Sequence, residues 1–237
     1  MSRLSGAVKA AFVCVGLAVA AGHAGAQDAA KKAPPSNPVG ANWNTKVTAD
    51  AAPQAGVTLE KAQIETITKV SQYFNGLGDL KGSFIQTDAA NKRMRGKFMV
   101  KRPGRFRFDY ALPSKQIIVS DGNLLRIQDH DLGNEDAVEL DQTPFRILLR
   151  KDVDLLRDAR ITDVQEAEDT IVLTVQDKAP DAAGKIKLVL VKKPALELKE
   201  WVTTDAQGLD TRVELSGLST TEKIDPTQFD VKMQKKF

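Results

Sequence analysis

The stretch Met94–Tyr110, MRGKFMVKRPGRFRFDY, decides the fold. Apolar residues alternate with polar ones on both sides of a Pro-Gly pair, so it reads as two strands folded about Arg102-Pro103-Gly104-Arg105. Alternation puts Phe98, Val100 and Arg102 on one face of the first strand, and Phe106, Phe108 and Tyr110 on one face of the second. A two-residue loop at Pro103-Gly104 would pair Val100 with Arg107 and set each aromatic face against a charged one. A three-residue loop, Pro103-Gly104-Arg105, pairs Arg102 with Phe106, Val100 with Phe108 and Phe98 with Tyr110, all on one side. The second register is expected, because a slip of one residue would expose three aromatics. It leaves an apolar face with one guanidinium, Arg102, at the end of the row. Such a group either snorkels from the sheet rim into water or serves an apolar cavity.

Around this hairpin the period of two continues. Strands are expected at Lys81–Thr87, Arg93–Arg102, Phe106–Ala111, Gln116–Ser120, Asn123–Asp129, Asp136–Asp141, Arg160–Glu166, Thr170–Gln176, Lys185–Val191, Leu196–Thr204 and Leu209–Leu218. Short turns such as Asp121-Gly122 and Gln207-Gly208 separate them, which favours a long antiparallel meander over a series of strand–helix–strand units. A sheet of about eleven strands must curl or close. Two helical patterns interrupt it. Thr58–Leu77 carries Ile64, Ile67, Val70, Phe74 and Leu77 at three- and four-residue steps, with Thr58 as the expected cap. Thr143-Pro144 opens a short central helix with Phe145, Leu148 and Leu149 on its apolar side, and a further turn near Val153–Arg157 follows. The expected class is therefore mainly β with α: a half-open curled antiparallel sheet, an incomplete barrel, covered by a long N-terminal helix and short central helices.

Residues 1–26 read as a secretory signal peptide. Arg3 and Lys9 give a basic start, Ala10–Ala21 an apolar run too short to span a bilayer, and Ala24-Gly25-Ala26 a cleavage site, so the mature chain is expected to be exported to the periplasm. Cys14 lies inside the apolar run after Val13, which argues against a lipid-modified cysteine. Residues 27–57, rich in Ala, Pro and Asn, read as a flexible leader with Trp43 as its one large apolar group, and residues 58–237 as a single domain. Removing Arg3 and Lys9 takes Lys+Arg from 34 to 32 against 31 Asp+Glu, a balance that argues against a nucleic-acid partner. The mature chain has no cysteine and one histidine, His130, which excludes disulfides and cysteine chemistry.

Little else in the chain could carry chemistry. Gln128-Asp129-His130-Asp131 with Asn134, Glu135 and Asp136 lacks the glycine and terminal glutamate of a calcium loop, and reads as a solvated turn. Asp152 and Asp154 sit in a polar connection where nothing would raise a pKa. Arg93, Arg95, Arg105 and Arg107 could form a basic strip on the outer faces, among interleaved acids. An acyl-ester hydrolase would need a histidine near a serine, and a turn is a poor place for it. No metal site, cofactor or enzymatic activity is expected. What remains is the apolar face: Phe84, Met94, Phe98, Val100, Phe106, Phe108 and Tyr110 as lining for an acyl chain, with methionine adaptable to a varying guest.

At these residues the chain resembles the periplasmic outer-membrane lipoprotein carrier family, LolA. The matching pattern is Phe84-Ile85-Gln86, Gly96 and Val100-Lys101-Arg102-Pro103-Gly104 with Phe106, Phe108 and Tyr110. It continues through Pro113, Gln116, Val119-Ser120-Asp121-Gly122, Asp129-x-Asp131-Leu132 and Thr143-Pro144-Phe145 with Leu148-Leu149. The leader is longer than is usual in that family, and the tail after Val231 is short and basic. The resemblance implies an eleven-stranded half-barrel with a helical lid, acting as a monomeric carrier. Acylated lipoproteins would come from an inner-membrane lipoprotein-releasing ABC transporter and go to an outer-membrane lipoprotein receptor. It also implies that Arg102 latches the lid over the empty cavity and that Phe106 serves loading and handover. The same fold binding another amphiphile, as a glycolipid carrier or a lipid- or stress-sensing domain, is the alternative.

Overall fold

All eleven expected strands are present in a computed structural model of the chain, which describes residues 58–179 and 184–230. The signal peptide, the leader with Trp43 and the basic tail lie outside the described residues. In chain order the strands are β1 (Asp79–Thr87), β2 (Arg93–Lys101), β3 (Arg105–Tyr110), β4 (Gln116–Asp121), β5 (Leu124–Asp129) and β6 (Asn134–Glu139), then β7 (Ala159–Glu166), β8 (Thr170–Asp177), β9 (Lys185–Val191), β10 (Glu197–Thr204) and β11 (Asp210–Ser219). They form one antiparallel sheet in the order β6-β5-β4-β3-β2-β1-β11-β10-β9-β8-β7. Two meanders, β1 to β6 and β7 to β11, are thus joined through β1 and β11. β6 and β7 are its two edges and do not pair, so the curled sheet stays half open.

The hairpin register differs from expectation by two residues. Phe98 pairs with Phe108, Val100 with Phe106 and Lys101 with Arg105, so the loop is Arg102-Pro103-Gly104. A shift of two keeps the aromatic faces together and moves Arg102 from strand into turn. The cause is the third loop position, which takes a left-handed backbone: Gly104 sits there at φ +70°, where the expected loop would have put Arg105. A Cβ at Gly104 would also come within 2.8 Å of Gly122 Cα in the neighbouring turn.

Alternation along the strands fills the concave face. Phe84, Phe98, Phe106, Phe108 and Ile118 from one meander meet Ile171, Leu173, Ile186, Leu188, Trp201 and Leu215 from the other, all buried. Gly96 is required there, since a Cβ would lie 2.2 Å from the Asp109 carbonyl and 2.6 Å from the Phe84 ring. On the convex side Ile224 and Phe229, from the chain after β11, pack on Ile117 and Val119 of β4 and Met99 of β2.

The N-terminal helix, α1 (Lys61–Gly76), starts later than expected. Its N-cap is Glu60, in a reciprocal capping box with Gln63, rather than Thr58. Ile67, Val70 and Phe74 are buried, while Ile64, expected in the same stripe, is 40 % exposed at the outer margin of the contact. The helix is stitched to both ends of the second meander. The Leu198 amide, next to a bulge in β10, donates to the Tyr73 hydroxyl at 3.0 Å. At the other end the Thr66 hydroxyl donates to Glu166, which also holds Lys192 at 3.0 Å.

The hydrogen bond from Thr66, followed by the one from Lys192, keeps the Glu166 carboxyl below its ordinary pKa. A carboxylate with a depressed folded pKa stabilises the fold above its unfolded pKa, and that contribution is lost as pH falls through the folded value. Acidification below the ordinary glutamate range should therefore loosen the start of α1 first. Amide exchange in α1 against pH should show this, and Glu166→Gln should remove the pH-dependent part. Equal acid sensitivity in wild type and variant would count against the stitch.

Candidate functional site

Between β6 and β7 the chain crosses the open mouth of the sheet. It forms a 3-10 turn, Leu140–Gln142, then α2 (Arg146–Leu149) and α3 (Leu155–Asp158). Thr143 does not cap α2 as expected. Its buried hydroxyl donates to the Leu140 carbonyl at 2.8 Å, closing the turn before the helix. Asp154 caps α3 by accepting from the Arg157 amide at 3.0 Å.

This segment is a lid with apolar side chains underneath. Phe145, Leu148 and Leu149 face Phe98, Val100, Phe106 and Phe108 from the first meander, Leu188, Leu198 and Trp201 from the second, and Phe74 and Leu77 from α1. Together they surround a hollow of about 80 Å³ in which Arg102 is the one charged lining residue. That is room for about three water-sized groups, far short of an acyl chain. The open container expected from the strand pattern is therefore largely filled by the protein's own aromatics. Phe108 is their hub, with ring centroids 5.1 Å from Phe84, 5.6 Å from Phe98, 5.9 Å from Phe106 and 6.2 Å from Trp201. Phe145 of the lid meets Trp201 edge-on at 5.9 Å.

The latch is built from backbone that α2 cannot satisfy itself. The last carbonyls of a helix have no intrahelical partner. Here the hairpin turn supplies donors from across the mouth. The Gly104 amide donates to the Leu149 carbonyl at 2.9 Å. Arg102 Nη2 donates to the Arg150 carbonyl, with longer contacts of 3.5 Å to the Lys151 carbonyl and 3.4 Å to Asn75 Oδ1. A cation at the carbonyl end of a helix is also favourably placed electrostatically. Asn75, near the end of α1, ties down the rest of the lid: its Oδ1 accepts from the Val153 amide at 2.8 Å and its Nδ2 donates to the Val153 carbonyl at 2.9 Å. Farther along, α2 is held by Arg146, whose guanidinium forks onto Asp177 of β8 at 2.5 and 2.9 Å, the carboxylate being 1 % exposed.

The latch is incompletely satisfied. Arg102 is half-buried, burial pulls its pKa below the ordinary value, and its Nε is buried with no hydrogen-bond partner among the described residues. Opening would return that group to water and recover part of its desolvation cost.

Of the residues expected as lining, Phe98, Val100, Phe106 and Phe108 meet at the hollow together with Arg102. Phe84 and Tyr110 stack edge-on deeper along the same face, where burial raises the Tyr110 pKa and its hydroxyl donates to Gln86. Met94 packs against the core outside the hollow's wall. Sequence reasoning missed Leu188, whose alternation with Ile186 and Leu190 was visible, Leu198 and Trp201, which a bulge in β10 brings to one face despite their odd spacing, and Asn75, which stands in no periodic pattern. The acidic turn is used structurally. Asp129 accepts from the Asp131 and Leu132 amides at 2.9 and 3.1 Å, Asp131 pairs with Lys115, and Glu135 with Arg126. Among the outer arginines, Arg93 pairs with Glu214 and Arg107 with Asp109.

Comparison with known proteins places this geometry. Residues 75–232 match the profile of the family described as outer membrane lipoprotein carrier protein LolA. An outer-membrane lipoprotein carrier protein of Chromobacterium violaceum is 27 % identical over 177 residues, covering 71 % of this chain and 84 % of that protein. The corresponding protein of Neisseria gonorrhoeae is 33 % identical over 102 residues, 40 % of this chain and about half (49 %) of the other. A solved LolA-superfamily protein from Nitrosomonas europaea aligns with 71 % of the chain at a TM-score of 0.44 and 10 % identity.

Proposed function

The chain belongs to the family of outer membrane lipoprotein carrier proteins, LolA, and from that membership we propose that it is a periplasmic chaperone for the acyl chains of lipoproteins. It would accept them from an inner-membrane releasing transporter and give them up at an outer-membrane receptor. The observation that carries this reading is the apolar hollow closed by a lid that one under-satisfied guanidinium holds down.

The energetics fit a transient carrier. Burying acyl chains gains about 0.8 kcal/mol per methylene, so about ten buried methylenes gain about 8 kcal/mol. Making room for them costs the lid's packing and the latch, whose net worth is about 0.5–1.5 kcal/mol per ordinary hydrogen bond and about 1.5–3 where a charge takes part. The difference leaves modest affinity, and cargo can pass to a stronger binder while the latch re-forms behind it. No energy source is needed at the handover. Phe98, Val100, Phe106 and Phe108 are the side chains we assign to the acyl groups, and Arg102 the one we assign to closure. Phe84, Met94 and Tyr110, farther along the same face, would meet a chain only if it reaches deep.

The test is recovery of the mature protein from cells in complex, followed by mass spectrometry of what comes with it. Acylated lipoprotein in stoichiometric amount is expected. Glycolipid alone would mean that the same hollow serves another amphiphile.

A further inference from the structure

The two edges of the sheet are treated differently. α1 and α3 pack against β7, whereas β6 has a neighbour on one side only, β5, among the described residues. Exposed edges are normally spoiled by bulges, prolines or charged side chains, lysine above all. β6 has no bulge, proline or lysine and is guarded only by acids: all six residues pair with β5 in unbroken register, from Leu124–Glu139 to Asp129–Asn134. The Leu140 amide donates to the Asn123 carbonyl at 2.8 Å. Counting back in twos from that bonded pair, Val138, Asp136 and Asn134 turn their backbone groups to β5. Glu135, Ala137 and Glu139 therefore turn amides and carbonyls outward.

Where this edge lies matters as much as its shape. At its C-terminal end β6 runs straight into Leu140 and Asp141, which wall a polar cleft of about 400 Å³ at the mouth. Arg102, Arg105, Arg146 and Arg150 line the same cleft and outweigh its two aspartates, so an excess of acids lies only beyond it, on the edge itself. That cleft shares Arg102 and Leu149 with the apolar hollow. An amphiphile with its acyl end in the hollow would leave through the cleft beside the free edge. A chain running away from the mouth there is antiparallel to β6, the easier pairing. Glu135 is already paired with Arg126, but the edge also carries Asp136 and Glu139 and no cation of its own, so pairing with β6 of a second copy would set acid against acid.

We propose that the free edge of β6 binds the cargo's own polypeptide as an added antiparallel strand, with a preference for basic side chains beyond the arginine-lined cleft, where the tail runs beside Glu139 and Asp136. This rests on the acyl-cargo reading of the hollow. The acyl anchor makes strand addition intramolecular, so pairing too weak to hold a free peptide is enough.

The test uses lipopeptides that share a diacylated cysteine and a short neutral serine–glycine spacer to clear the cleft, and differ in a tail of about eight residues, threonine alternating with lysine or with glutamate. Affinity is read by displacement of a fluorescent fatty acid. The lysine tail should bind about tenfold tighter than the glutamate tail, with slowed exchange at the Ala137 and Glu139 amides. Ala137→Pro should abolish the difference, because it removes an outward amide and no bond to β5. If that variant does not fold, Glu139→Lys should remove most of the preference instead. The anchor without a tail should bind wild type and variants alike. Equal affinity for both tails, or a preference that survives Ala137→Pro, would overturn the edge proposal and leave the hollow standing. Failure of the bare anchor to bind would overturn the hollow reading and this one with it.

Discussion

Replacing Arg102 by leucine is expected to leave the protein folded and able to take up acylated cargo, but to slow its handover by about ten- to a hundredfold. The reasoning starts from what the guanidinium does in the closed state. One close charged bond, to the Arg150 carbonyl, carries most of what Arg102 itself contributes to the latch, because its contacts at 3.4 and 3.5 Å are marginal. A bond of that kind is worth about 1.5–3 kcal/mol net, and every 1.4 kcal/mol is about a factor of ten. Losing it destabilises the empty, closed carrier and leaves the loaded one nearly untouched. Leucine also adds apolar surface to the wall. Both changes favour keeping cargo over giving it up. Arg102→Lys, which keeps the charge without the forked reach, should fall between. Transfer from Arg102→Leu at the wild-type rate would contradict the latch, as would a variant that folds normally but does not load.

The role of Arg102 also shows how far the sequence could be read. Alternation in Met94–Tyr110 revealed the aromatic face, which is where the period of two puts it, and the lone guanidinium, which the structure moves from the strand into the turn. The register was two residues off because sheet faces are preserved by an even shift, and only the need for a left-handed backbone at the third loop position separates the two choices. Gly104 carried that information in plain view. The second half of the hollow was harder. Leu188 alternates with Ile186 and Leu190 as clearly as Phe106 with Phe108, but Leu198 and Trp201 stand three residues apart and share a face only through the bulge in β10, and nothing local says that β11 pairs with β1 and so curls them over the same space. The cap of α1 was legible as Glu60-x-x-Gln63 and was missed in favour of Thr58. Asn75 and the Arg146–Asp177 fork are unreadable in principle. Each joins residues far apart in the chain, 78 between Asn75 and Val153 and 31 between Arg146 and Asp177, and neither leaves a periodic trace.

The lid must also come away from the hairpin turn whenever cargo is aboard. A residual space of about 80 Å³ cannot hold even one acyl chain alongside Phe145, Leu148 and Leu149, and packed side chains of this density do not compress. The least costly way to make room is to lift α2, since the sheet beneath is held by a continuous series of ten strand pairs while α2 is a helix of four residues hung on a few bonds. One backbone bond reports that separation without a label: the Gly104 amide to the Leu149 carbonyl, 2.9 Å in the closed state. Its partner lies on the lid and its donor on the sheet, so it is protected only while the two are joined. Amides inside β8 and β9, by contrast, bond within the sheet in either state.

Residue-resolved hydrogen exchange of the empty carrier, and of the carrier saturated with a triacylated lipopeptide, therefore tests the central claim most directly. Loading should speed exchange at Gly104 by about a hundredfold or more, with Val153 following as Asn75 lets go and β8 and β9 unchanged. Unaltered or slower exchange at Gly104, with the lipopeptide demonstrably bound, would mean that acyl chains sit somewhere other than beneath this lid.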